Sequence, residues 1–126
     1  MQALAQKRYR VTYTLLIYRS VPAEALAERD ERLILEGHRA LQAEASARSE
    51  LHAVAQLRDT GRALTVRRRG TSHEVTDGPY VETKEWLVGF YLLDCESQEE
   101  ALARARMICD EAHTIEVRPV AWQWKA

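Results

Sequence analysis

The chain has 126 residues, of which 46% are apolar and 29% charged, a composition that suits one globular domain over residues 1–126 rather than a disordered chain. Eighteen basic side chains face nineteen acidic ones, for a formal charge of -1. That balance gives no bulk attraction for nucleic acid or an anionic membrane, so neither is expected as a partner. No apolar run approaches the ~20 residues that span a bilayer, and Met1 to Arg10 is too short and polar to read as a signal peptide. Cys95 and Cys109 lack the Cys-x-x-Cys spacing of a zinc or redox site. A reduced, cytoplasmic protein is therefore expected, with Cys109 an inert buried thiol on a helix.

Between Val11 and Tyr18, Val11, Tyr13, Leu15 and Ile17 alternate with Thr12 and Thr14, the period of a strand. Ser20 and Pro22 punctuate the chain, and Glu24 falls in the first turn expected of a helix that runs to about Arg48. Ile34, His38, Leu41 and Ala45 share one face of that helix. Gly37 weakens it by up to ~1 kcal/mol relative to Ala, which predicts a kink or break nearby. Leu51–Leu57 reads as a second strand, and Arg62–Arg69 with Ser72–Thr76 as a hairpin turning at Gly70 and Thr71.

Leu87–Leu93 is almost unbroken apolar sequence, the pattern of a strand covered on both faces. Ser97 with Glu100 makes a capping box that opens a second helix, whose apolar face is expected to carry Ala101, Ala105, Ile108 and Ala112. Thr114–Val117 forms a last strand, stopped near Pro119 and followed by Trp122 and Trp124. Two β-α-β halves in this order predict an α+β, ferredoxin-like domain: an antiparallel sheet, two helices on one face and a hairpin insertion. The other face, apolar along Leu87–Leu93, then calls for a second subunit, so a twofold homodimer is expected.

The most distinctive local chemistry is Asp77-Gly78-Pro79-Tyr80-Val81-Glu82-Thr83-Lys84-Glu85. Asp-Gly-Pro demands a turn. An Asp there ordinarily bonds the N–H two residues on, but Pro79 has none. The Asp77 carboxylate either finds another donor or stays available as a general base or ligand contact.

Together with Gly89-Phe90-Tyr91-Leu92 and the closing Glu116-Val117-Arg118-Pro119, this segment resembles the DGPF-domain branch of the YCII-related family over nearly the whole chain. The resemblance implies a dimeric ferredoxin-like α/β barrel with a cleft near the signature, and leaves the activity open. Some relatives look like partners encoded beside alternative sigma factors, and the wider superfamily includes a dehydrochlorinase-like enzyme. A His–Asp pair is the proposed catalytic couple of the YCII branch. Its histidine lies eleven residues before a Gly, the place of Ser49 here, which makes His38 the matching position and Asp77 the nearest aspartate. Tyr80 stands where Phe is usual, and Trp86-Leu87-Val88 replaces a smaller stretch, which would narrow the cleft.

The candidate catalytic residues are therefore His38, moving a proton in an elimination or hydrolysis, and Asp77, orienting it. Tyr80, Glu82, Lys84, Glu85 and Trp86 are the candidate ligand contacts. Each also has a plainer role: His38 as a satisfied core histidine, Asp77 as a turn former, Glu82 and Glu85 salt-bridged around Lys84, and Tyr80 in packing. Arg67-Arg68-Arg69 reads as a solvated edge. His52, His73 and His113 have no metal-ligand spacing and the five glycines form no phosphate loop, so no metal or cofactor is expected. A small-molecule enzyme or binding domain leads, and a non-catalytic regulatory protein associated with a sigma factor is the alternative.

Overall fold

The computed structural model describes residues 10–80 and 85–125. In chain order they form β1 (Val11–Arg19), a 3-10 turn (Ala23–Ala25), α1 (Glu28–Ala47), β2 (Leu51–Gln56), a second 3-10 turn (Thr60–Arg62), β3 (Leu64–Arg69), β4 (Ser72–Asp77), β5 (Trp86–Cys95), α2 (Gln98–Met107) and β6 (His113–Pro119). Four strands make an antiparallel sheet in the order β2-β5-β1-β6. This α+β arrangement, with its two β-α-β crossings, is consistent with a ferredoxin-like fold. β3 and β4 pair separately, with Val66 opposite Val75.

The alternation in β1 sorts its side chains by face. Tyr13, Leu15 and Ile17 turn inward and meet Tyr91, Leu93 and Cys95 of β5, Leu41 of α1, and Ala101, Ala105 and Ile108 at α2. Both helices thus lie on one side of the sheet. The apolar run of β5 is divided by the pleat: Tyr91 and Leu93 are buried, while Phe90 and Leu92 on the other face are partly exposed.

Helix boundaries differ from the sequence reading in two places. After Pro22 the chain makes the short 3-10 turn, and α1 begins only at Glu28 because Ala27 is extended. α2 stops at Met107, before Cys109 and Ala112. The carboxylate of Asp110 accepts hydrogen bonds from the N–H groups of Ala112 (2.8 Å) and His113 (3.0 Å), a local turn that competes with helix propagation. Cys109 consequently lies beyond the helix and is exposed rather than buried. Cys95 is the buried thiol, and burial pushes its pKa up to about 11, which keeps it protonated and inert.

Gly37 does not break α1, which runs continuously through it. A Cβ at Gly37 would collide with the carbonyl oxygen of Met107, so the glycine lets the C-terminal end of α2 abut α1. The C-terminal end of α1 closes in a Schellman turn, with Glu50 N–H bonded to Ala45 O (2.8 Å) and Ser49 N–H to Ser46 O (3.0 Å). Ser49 sits there at φ 56°, a left-handed conformation that glycine adopts without strain.

That turn delivers Glu50 to the interior. Its Oε1 is 2.5 Å from Arg104 Nη2 of α2, and both side chains are almost wholly removed from water. Arg104 also donates to Asp94 O (2.8 Å) and to Glu44 (3.3 Å). Burial alone would favour a neutral guanidinium, but the hydrogen bond and charge of Glu50 outweigh it and hold the Arg104 pKa above its ordinary value. Arg48 extends the network to Glu96 (2.6 Å) and Glu100 (3.1 Å). The pair ties α1, β5 and α2 together.

Two stability predictions follow from this framework. Glu50→Gln strands a buried guanidinium and lowers the unfolding free energy by roughly 3–5 kcal/mol, measurable by urea titration. Ser49→Gly relieves the left-handed position and raises stability by about 0.5–1 kcal/mol, a gain of a few degrees in Tm by calorimetry.

Candidate functional site

His38 and Gln42 are four residues apart on α1 and so share one helical face, turned toward Tyr91 on β5. His38 Nδ1 lies 2.8 Å from Tyr91 Oη, and Gln42 Nε2 donates to the same oxygen at 3.1 Å. The imidazole stacks on the phenol ring with centroids 5.7 Å apart and an interplanar angle of 12°. Beside Tyr91, Gly89 lets β2 approach closely: a Cβ there would lie 2.6 Å from Ala55 O. The result is a cavity of about 380 Å³ between α1 and the sheet. Ile17, Leu26, Ile34, Leu35, Val54 and Val88 give it apolar walls, and His38, Gln42, Arg19, Glu31 and His113 supply polar groups.

Burial is the main reason that the His38 pKa is lowered, with the neighbouring His113 acting in the same direction and Asp110 opposing. Burial likewise raises the Tyr91 pKa, against the hydrogen bond from Gln42. Both rings are therefore neutral near pH 7. The phenol proton then goes to Nδ1 of His38, which fixes its tautomer and leaves Nε2 as an N–H donor. Among the described residues Nε2 has no hydrogen-bond partner. The site offers a neutral imidazole that presents a proton.

The residues singled out in the sequence are divided between two places. Asp77 ends β4, exposed and opposite Leu64, and is absent from the lining of the His38 cavity. Among the described residues its carboxylate has no hydrogen-bond partner; the turn is held instead by Gly78, whose N–H reaches Ala63 O (2.8 Å) and whose carbonyl accepts from Thr65 (2.7 Å). Gly78 has φ 95°, so the turn needs its glycine. Within one chain, His38 is coupled to Tyr91 rather than to Asp77.

Tyr80, Glu85 and Trp86 come together around a second hollow of about 600 Å³, beside Tyr18, Pro79 and Leu87 at the base of the hairpin. Glu85 accepts from Thr114 Oγ1 at 3.1 Å. The Arg67 guanidinium lies 5.1 Å from the centre of the Tyr80 ring, and Arg69 pairs with Glu74 at 3.3 Å. The arginine run is thus partly spent within its own hairpin. Glu82 and Lys84 lie outside the described residues.

Sequence reasoning passed over Tyr91, Gln42, Arg19 and His113. Gln42 was accessible as the i+4 neighbour of His38. Tyr91 was hidden in an apolar run, where it reads as core. His113 belongs to the site only because β6 returns beside β1, which sets it opposite Arg19. Among the described residues no helix is long and apolar enough to cross a membrane, and no group of three His, Cys, Asp or Glu side chains could hold a metal ion.

This chain belongs to the YCII-related domain family, whose pattern it matches over residues 15–125. It is also 40% identical over 114 residues to an uncharacterized protein of Rhizobium meliloti (strain 1021), spanning 86% of this chain and 91% of that protein.

Removing the phenol hydroxyl tests the arrangement directly. Tyr91→Phe takes away the donor to His38 Nδ1 but not the burial that lowers the His38 pKa, so the His38 titration followed by NMR stays below the ordinary histidine range while its 15N shifts show that the tautomer is no longer fixed. Gln42 loses its acceptor in the same step, and stability falls by roughly 1–2 kcal/mol.

Proposed function

We propose that this protein is a homodimeric small-molecule-binding domain whose chemistry is proton transfer in the His38 cavity. The observation that carries the reading is the neutral imidazole of His38, fixed by Tyr91 and Gln42 in a hollow of about 380 Å³. A core histidine with only a packing role has no use for an adjoining cavity lined by Arg19 and a second histidine. Apolar walls lower the local polarity, so an N–H aimed at developing negative charge gains strength there. Elimination and hydrolysis both need such a group, because each builds charge on a leaving atom or a carbonyl oxygen. In this reading His38 moves or offers the proton, Tyr91 holds its tautomer, and Asp77 takes no part in the cavity.

Self-association is supported by apolar surface that one copy leaves uncovered. Leu64, Val66 and Val75 share a face of the hairpin at 66%, 63% and 60% exposure, and Trp122 and Trp124 are more exposed still. Phe90 and Leu92 add partly exposed area on the helix-free face of the sheet.

A fragment screen on the full chain, read by the Gln42 side-chain amide and the Gly89 backbone amide, is expected to find ligands that His38→Gln weakens at least tenfold and Asp77→Asn leaves unchanged. Hits that ignore His38, or no hit near Gly89, would sink the cavity reading. Sedimentation is expected to give twice the chain mass at micromolar concentration; a stable single copy refutes the dimer.

A further inference from the structure

The cavity holds a second imidazole with the opposite hydrogen-bonding polarity. His113, at the start of β6, is buried, and its Nδ1 lies 3.0 Å from Asp110 Oδ1 and 3.1 Å from Oδ2. Asp110 is itself fixed by the N–H groups of Ala112 and His113. A carboxylate partner requires the proton on Nδ1, so the neutral ring presents the lone pair of Nε2. Among the described residues that nitrogen has no hydrogen-bond partner, and His113 lines the same hollow as His38. In its neutral form His113 therefore offers a lone pair where His38 offers an N–H.

A cation completes the set. Arg19 stands opposite His113 in the β1–β6 register, on the helix-covered face. Its Nε donates to Val21 O at 2.7 Å, and its guanidinium has no ion-pair partner among the described residues. The exposed carboxylate of Glu31 is the one acidic side chain among the cavity's lining residues.

Resting on the reading of the His38 cavity as a ligand site, we infer that His113, oriented by Asp110, is its general base, and that the substrate is a small 2-oxo carboxylate. Arg19 binds the carboxylate, His38 Nε2–H bonds the carbonyl oxygen, and the apolar walls take the side chain. His113 Nε2 removes the proton from the carbon next to the carbonyl. The C–H electron pair becomes the C=C bond of an enolate, and the carbonyl π pair moves onto oxygen, where His38 donates to it. Asp110 stabilises the imidazolium that forms at His113. Return of that proton to oxygen gives the enol, and its return to carbon gives exchange, so no oxidant or further reactant is needed. A neutral imidazole facing the oxygen suits this step, because it stabilises the enolate without carrying a full charge into an apolar site.

Phenylpyruvate is the probe, and the experiment follows loss of its C3 proton signal in D2O by NMR with the full chain. Wild type is expected to exceed the buffer rate, and His113→Gln to lower that acceleration by about 10²-fold or more while phenylpyruvate still shifts the His38 resonances. Asp110→Asn, at a position whose side chain is 35% exposed, tests the positioning role and is available should His113→Gln fail to fold. It is expected to slow exchange and to move the His113 proton from Nδ1 in the 15N spectrum, whereas Asp110→Glu restores both. Exchange that persists in both variants, or binding without exchange in wild type, overturns the base assignment and leaves the cavity reading standing. Phenylpyruvate that perturbs neither His38 nor Arg19 overturns the substrate class; the cavity reading is then decided by the fragment screen alone.

Discussion

Close approach of backbone to backbone is the constraint on which this structure depends. α1 can lie against the end of α2 only because position 37 has no Cβ to strike the Met107 carbonyl. β2 can draw up to β5 only because position 89 has none to strike Ala55. Each glycine sits beside a residue of the site: Gly37 precedes His38, and Gly89 is two residues from Tyr91 on the same face of β5. The first fixes where α1 packs and the second fixes the width of the floor beneath it. Between them they set the distance at which an imidazole on a helix meets a phenol on a strand.

The buried Arg104–Glu50 pair gives the same region its rigidity. Two charges taken from water are tolerated when they satisfy each other and when remaining donors find acceptors, as Arg104 does at Asp94 and Glu44. Glu50 follows the C-terminal end of α1 and Arg104 lies on α2, and through Glu44 and Asp94 the pair joins both helices to β5. A site whose function depends on a tautomer held by one hydrogen bond benefits from a frame in which that helix cannot slide.

The two histidines illustrate how one side chain takes opposite roles from its partner alone. His38 meets a phenol, a donor to neutral imidazole, and burial keeps it uncharged. His113 meets a carboxylate, an acceptor that favours the proton on Nδ1. The pairing of His38 with a carboxylate, suggested by resemblance, is replaced within the chain by pairing with Tyr91, because Asp77 is held at the end of the hairpin while the cavity lies under α1.

Local pattern by itself determined a great deal here: the alternation of β1, the helical stripe through Ile34, His38, Leu41 and Ala45, the Ser97–Glu100 cap, the hairpin and the order of elements that fixes the sheet. These are short-range properties, governed by side-chain period and by backbone angles at Gly70 and Gly78. His38 was legible because it interrupts an apolar stripe with a titratable ring. Only the tertiary structure decided what His38 touches, that α2 ends before Cys109, that Gly37 marks a crossing rather than a break, and that Arg19 and His113 share its cavity. Those facts depend on residues as distant in the chain as Arg19 and His113, brought together by strand register, and no local period encodes such a meeting.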